Sequence, residues 1–147
     1  MNFSISEHFD IREFVSKQTF DSLGIEECKK LVGIKVVSLA EVLRSHFGYG
    51  MTINNWHKGG NFNWRGLRIE GCGVGKITGQ HYVKPLNAID FNITNFTPLQ
   101  VYNQILKNEA KFLEAGITRM ENIKDTPTWT HVDMKVTKLK TIQIVNG

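Results

Sequence analysis

Between Asn54 and Gly79 the chain keeps neither of the two periods that build regular structure. Its apolar residues do not recur every three or four positions, as on a helix face. They do not alternate either, as on a strand. Seven of the 13 glycines fall here (Gly59, Gly60, Gly66, Gly71, Gly73, Gly75 and Gly79), with Trp56, Trp64, Arg65 and Arg68 among them. Glycine at this density weakens helix and strand alike, so the segment predicts a long irregular loop. A loop of that length in a compact domain usually serves function. Its aromatic and guanidinium groups mark it as one wall of a binding site.

The loop separates a helical part of the chain from a part rich in strands. Asp10 is placed to cap a short helix over Ile11 to Lys17. A longer helix is expected from about Ile25 to Phe47, with Cys28, Leu31, Val32, Leu39, Leu43 and Phe47 largely at three- and four-residue spacing and Gly48 as its C-cap. Met51 to Asn54 reads as a short strand, and Ala88 to Ile93 as another. Thr97-Pro98-Leu99-Gln100 combines an N-cap Thr, Pro at N1 and Gln at N3. That helix is expected to reach about Glu114 and end at Gly116. Ile117 to Glu121, Thr128 to Met134 and Thr141 to Val145 read as further strands. The fold class expected is α+β, a small, mainly antiparallel sheet with helices packed on it.

With 147 residues and no repeat or linker, residues 1–147 are expected to form a single domain with a real core. A hydrophobic content of 41% excludes disorder as a description of the whole. No stretch approaches the roughly 18 apolar residues of a spanning helix. The residues from Met1 to His8 lack the basic and apolar regions of a signal peptide. The expectation is a soluble, monomeric chain made in the cytoplasm, with neither membrane nor nucleic acid as its partner. The net charge of +4 is spread along the chain. It suits adhesion to an anionic polymer and equally suits simple solubility. Cys28 and Cys72 read as thiols rather than a bridge.

Two of the five histidines stand in suggestive company. His81 follows Gly79-Gln80 and precedes Asp90, which sits where loop turns into strand. His131 lies in Thr128-Trp129-Thr130-His131-Val132-Asp133, where strand geometry puts Trp129, His131 and Asp133 on one face. Two imidazoles and a carboxylate can hold a zinc with one position open for water. A histidine in a strand is as readily a plain core or surface residue, and spacing does not decide between the two. His8, His46 and His57 read as non-ligands. Gly71-Cys72-Gly73-Val74-Gly75-Lys76 lacks the spacing of a phosphate loop.

Taken in order, these pieces resemble the D-Ala-D-Ala zinc metallopeptidase family, which shares its fold with the hedgehog signalling domain. The family places a Ser-x-His-x6-Asp element before a Trp-x-His element. Gly79-Gln80-His81 through Asp90 is similar to the first, and Trp129-Thr130-His131-Val132-Asp133 to the second. Phe9-Asp10-Ile11-Arg12-Glu13-Phe14 resembles an N-terminal helix segment of a phage and bacterial subgroup. Ile53-Asn54-Asn55-Trp56-His57 and Phe62-Asn63-Trp64-Arg65-Gly66-Leu67-Arg68 resemble that subgroup's substrate loop. Two departures stand out. Eight residues separate His81 from Asp90 instead of six, which requires a bulge within Tyr82 to Leu86. Thr128 occupies the position where many members carry an acid as general base.

The resemblance implies a hedgehog/DD-peptidase-like fold and a Zn2+ cofactor on His81, Asp90 and His131. It also implies hydrolysis of peptide stems or cross-links of bacterial peptidoglycan. Replacements for the missing acid are Glu121, Asp125 and Asp133. Glu121 is the first choice, Asp125 also reads as a turn residue, and Asp133 could instead support the zinc ligands. Arg65 and Arg68 are candidates to grip a substrate carboxylate, and Trp56, Trp64 and Trp129 could line the cleft or pack in the core. The enzyme implied is phage-like, reaching the wall after holin-type release or within a virion. The alternative is an inactive wall-binding or phage structural module that keeps the fold.

Overall fold

A computed structural model describes residues 2–147. The chain opens with a 3-10 turn, Ile11–Glu13, closed by a capping box. The Asp10 carboxylate accepts from the Arg12 amide while Glu13 reaches back to the Asp10 amide. The turn is much shorter than the helix expected over Ile11 to Lys17. Ser16 instead caps a new helix, α1, Lys17–Val32, with its hydroxyl accepting from the Thr19 amide. A second helix, α2, spans Ile34–Phe47.

Within α1, Gly24 (φ 79°, ψ 174°) is non-helical, so a helix does start at about Ile25 as expected, but the single helix expected from there to Phe47 is two helices. Gly33 is the reason. It adopts φ 75°, a left-handed conformation that ends α1. A Cβ at this position would also collide with Pro85. Gly48 ends α2 differently, in the left-handed helical conformation at φ 73° and ψ 10°, as expected for a C-cap. The buried residues of α2, Val36, Val37, Leu39, Ala40, Leu43 and Phe47, form one stripe facing the core.

Five short strands make the sheet: β1 Met51–Thr52, β2 Ala88–Ile93, β3 Arg119–Glu121, β4 Thr130–Asp133 and β5 Gln143–Val145. Their order is β1-β2-β4-β3-β5. Three pairings are antiparallel, and β3 with β5 is parallel. The architecture is α+β, as expected, but the sheet is mixed. The segment after β4 crosses back before β5 begins, so β5 meets β3 in the same direction. Between β2 and β3 lie α3, Pro98–Lys107, and α4, Glu109–Glu114. Thr97 and Gln100 form the capping box that their spacing predicts. The helix expected to run on to Glu114 is interrupted at Asn108, whose side chain donates to the Gln104 carbonyl. No helix is long and apolar enough to cross a membrane, among the described residues.

The pleat of β2 and β4 assigns the two sides of the sheet different work. Ile89, Phe91, Met120 and Val132 join the core. Asp90, His131 and Asp133 occupy the opposite face by alternation. Cross-strand register brings Asp90 opposite His131 and Ala88 opposite Asp133. Arg119 faces Asp133 and Met120 faces Val132, which carries Glu121 to the side of His131. One face therefore carries the packing and the other gathers the polar groups.

Candidate metal centre

The long loop is irregular, as its composition predicts, yet firmly anchored. Apart from a 3-10 turn at Trp56–Lys58 it has no regular element before Gln80. The buried Asn54 side chain ties two segments together, donating to the Val15 carbonyl and accepting from the Arg65 amide. Leu67 is fully buried, and its amide donates to Phe14 O at 2.7 Å. Gly66 passes so close to Phe14 that a Cβ would collide with that residue's carbonyl. This close approach aims the Gly66 carbonyl at His81.

His81 sits in a 3-10 turn, Gln80–Tyr82, and is buried. Its Nδ1 lies 2.7 Å from Gly66 O. A carbonyl only accepts, so Nδ1 carries the hydrogen and Nε2 presents a lone pair. That Nε2 is buried and makes no aligned hydrogen bond, although it lies 3.3 Å from Asp90 Oδ2. The eight residues between His81 and Asp90 are accommodated by an exposed excursion at Val83, Lys84 and Pro85. Buried Leu86 then returns the chain to the fold, its amide donating to carbonyls of α1.

Asp90 lies on β2, with its own amide donating to Arg65 O at 2.8 Å. Its Oδ1 is 2.8 Å from His131 Nδ1. Burial opposes ionisation of this carboxyl. The hydrogen bond from His131 and the closeness of the His131 and His81 rings outweigh that burial and hold it well below the usual carboxylate range. His131 is also desolvated, which disfavours its charge. Asp133 and Asp90 on its two sides prevail and raise it to about 9. Nδ1 of His131 faces Asp90, with Glu121 Oε2 at 3.8 Å, and Nε2 faces Asp133 Oδ2 at 3.2 Å.

Ligand atoms of His81, Asp90 and His131 all lie within 4.8 Å of one another. The three form a group able to hold a metal ion. The chemistry of the donors fits a divalent cation. His81 offers a buried, otherwise unpartnered ring nitrogen, and Asp90 supplies negative charge between two imidazoles. A cleft of about 330 Å³ opens over the group. Arg68, Gln80, Arg119, Glu121, Trp129 and Asn146 complete its walls around the three residues.

The other expected site residues divide between cleft and scaffold. Arg68 faces the cleft, with Nη2 3.4 Å from Asp90 Oδ2 and Nε donating to the Trp64 carbonyl. Arg65 does not line it. Its guanidinium donates to Asn92 Oδ1 and stacks over the Phe62 ring at 3.5 Å. Trp64 contributes a carbonyl to Arg68, and its side chain does not line the cleft. Trp56 donates from its indole to Val15 O and packs on Phe20, so it serves the scaffold, whereas Trp129 lines the cleft. Glu121 faces the cleft, and burial beside Asp90 and Asp125 raises its carboxyl despite His131 and His81. Asp125 accepts from the Gly147 amide in its turn. Asp133 is fully buried beneath His131.

Three groups at the site escaped the sequence reading. The Gly66 carbonyl carries no side-chain signature at all. Gln80 lines the cleft beside His81 and has no motif of its own in the sequence. Arg119 had a usable signal, because it lies two positions from Glu121 on a strand and so shares its face. Comparison of the chain with protein-family models, curated proteins and solved structures returns no match.

Proposed function

We propose that this protein is a zinc peptidase of hedgehog/DD-peptidase-like fold that hydrolyses peptide bonds in bacterial peptidoglycan. The observation that carries the reading is the buried His81–Asp90–His131 set, with an unpartnered ring nitrogen and Glu121 beside it in an open cleft. The order of these residues along the chain, and their resemblance to the metallopeptidase motifs, supports zinc and peptide hydrolysis. The net charge of +4 suits an anionic wall as partner. A phage-type lysis or virion-associated role belongs to the same proposal and rests on the subgroup resemblance.

Zinc bound to His81, Asp90 and His131 supplies Lewis acidity toward a water and a substrate carbonyl. Glu121 takes the proton of the attacking water and returns it to the leaving amine. Its raised pKa brings it nearer the working pH than an ordinary glutamate. Arg68 offers a fork of N–H donors to a substrate carboxylate and adds positive charge to the cleft. Trp129 supplies a flat apolar wall against which a peptide can lie.

Metal analysis of the purified protein, followed by digestion of purified cell walls with mass spectrometry of the released peptides, tests the proposal. One zinc per chain with new peptide ends supports it. A chain that takes up no zinc ends it. A chain that binds zinc and wall but releases no peptide leaves the binding-module alternative, which the replacement of the usual acid by Thr128 favours.

A further inference from the structure

We propose that Arg119 is a positioning residue that clamps Asp133 and, through it, holds the His131 ring in its ligating pose. The inference rests on the metal-centre reading and extends it to a residue that touches neither metal nor ligand.

Arg119 and Asp133 are cross-strand partners on β3 and β4. Arg119 grips the carboxylate with two parallel bonds, Nε to Oδ1 and Nη2 to Oδ2, each 2.9 Å. The Lys135 amide adds a third donor to Oδ1 at 3.2 Å. Asp133 Oδ2 also faces His131 Nε2 at 3.2 Å. Asp133 is fully buried, so its carboxylate has only these protein partners. With three of its contacts fixed by Arg119 and the backbone, the carboxylate cannot turn. An ionised carboxylate only accepts, so the His131 Nε2 facing it bears a hydrogen, and Nδ1 is directed to Asp90. Metal-bound histidines commonly have their second ring nitrogen held by a carboxylate in this way.

Stability alone gives a poor account of the pair. Asp133 is fully buried and Arg119 half-buried, so much of their attraction is offset by lost hydration, and such a pair is weak evidence of stabilisation. The guanidinium is suited to the task by its planar fork, which fixes the carboxylate plane as well as its distance. A lysine would hold one oxygen and leave the plane free.

The test combines zinc affinity, measured by competition with a chromophoric chelator, with NMR of the metal-free protein. The NMR follows the His131 Nε2–H proton, expected in slow exchange with water. Arg119→Met is expected to weaken zinc binding about 10–100-fold with near-UV circular dichroism retained. It should also broaden the Nε2–H resonance. Asp133→Asn should weaken binding similarly, and the double variant should be no weaker than Asp133→Asn alone, because Arg119 acts through Asp133. Arg119→Lys should recover part of the loss. Zinc affinity within twofold of wild type and an unchanged resonance in Arg119→Met would overturn the inference. So would fully additive losses in the double variant. Should Arg119→Met fail to fold, Arg119→Lys decides. Weakened affinity with a broadened proton supports the clamp, and wild-type values for both overturn it. If the wild type binds no zinc yet its Nε2–H signal depends on Arg119, the clamp stands and the metal reading falls.

Discussion

His131 Nδ1 lies 2.8 Å from Oδ1 of Asp90, its direct partner across the β2–β4 ladder. Two residues 41 positions apart in the chain thus meet because the register of one strand pair places them opposite. Their contact joins an imidazole held on its far side by Asp133 to a carboxylate that also faces His81. The set could hold a metal ion.

If the proposed centre is right, His131→Ala or His81→Ala should abolish stoichiometric zinc uptake, because each removes one of the three proposed ligands. Asp133→Asn should leave weakened but measurable uptake, since Asp133 contacts a ligand rather than the ion. Atomic absorption on dialysed protein separates the cases. Full zinc occupancy in His131→Ala would assign the metal elsewhere.

Zinc affinity should fall with acidity. In the metal-free protein His131 titrates at about 9, so at neutral pH its ring carries a proton that the metal must displace. Apparent affinity should drop about tenfold for each pH unit lost below 9. Competition titrations between pH 6.5 and 8.5 measure the slope, and a flat profile contradicts the assignment.

The metal-free protein should lose stability as the medium turns alkaline. The folded pKa of His131 lies above its ordinary value of 6.5. Its contribution is therefore fully present below about 6.5 and disappears as pH rises through 9. The difference is on the order of 3 kcal/mol. Asp90 is shifted the other way, and its contribution is lost only in acid. Urea unfolding at pH 6 and pH 9 checks the sign. Zinc should flatten the dependence, because it replaces the proton.

Glu121→Gln should lower wall-hydrolysing activity about 10²–10⁴-fold, the usual contribution of a general base. Zinc binding should survive, because Glu121 lies 3.8 Å from His131 Nδ1 and outside the three-residue group. Activity unaffected by this change would move the proton-transfer role to another residue.

Gly66→Ala should destabilise the fold by about 1–3 kcal/mol, because the added Cβ collides with the Phe14 carbonyl. It should also weaken zinc binding, since the displaced Gly66 carbonyl no longer fixes the His81 ring. Thermal melts with and without zinc measure both effects. A destabilised variant with wild-type zinc affinity would separate the loop's packing from the site.

Local signals in the chain were reliable where one short segment carried the whole cause. The capping box at Thr97 and Gln100, the Gly48 terminator and the bounds of β2 all depend on neighbours a few residues apart. The break at Gly33 was harder to read. A glycine within a helical pattern is compatible with continuation, and here it is the positive φ of Gly33, packed close against Pro85, that separates α1 from α2. Ser16 offers the same capping chemistry as Asp10, and which of the two starts a full helix depends on the contacts that follow. Arg65 and Arg68 look alike in sequence, two polar positions of one loop. Only the tertiary contacts send Arg65 to Asn92 and Phe62 and turn Arg68 toward Asp90.

The amino-acid sequence by itself determined the α+β character, the irregular glycine-rich loop and the identity of the three candidate ligands. The first two follow from composition and period; the third follows from the resemblance of the motifs around His81, Asp90 and His131, because spacing alone leaves each histidine open to a plain structural role. The tertiary structure decided that β5 joins β3 in parallel and that the Gly66 carbonyl orients His81. It also decided that Arg119 clamps the carboxylate behind His131. Those relations depend on backbone atoms and on register between distant strands, and neither is written in the type of any one residue.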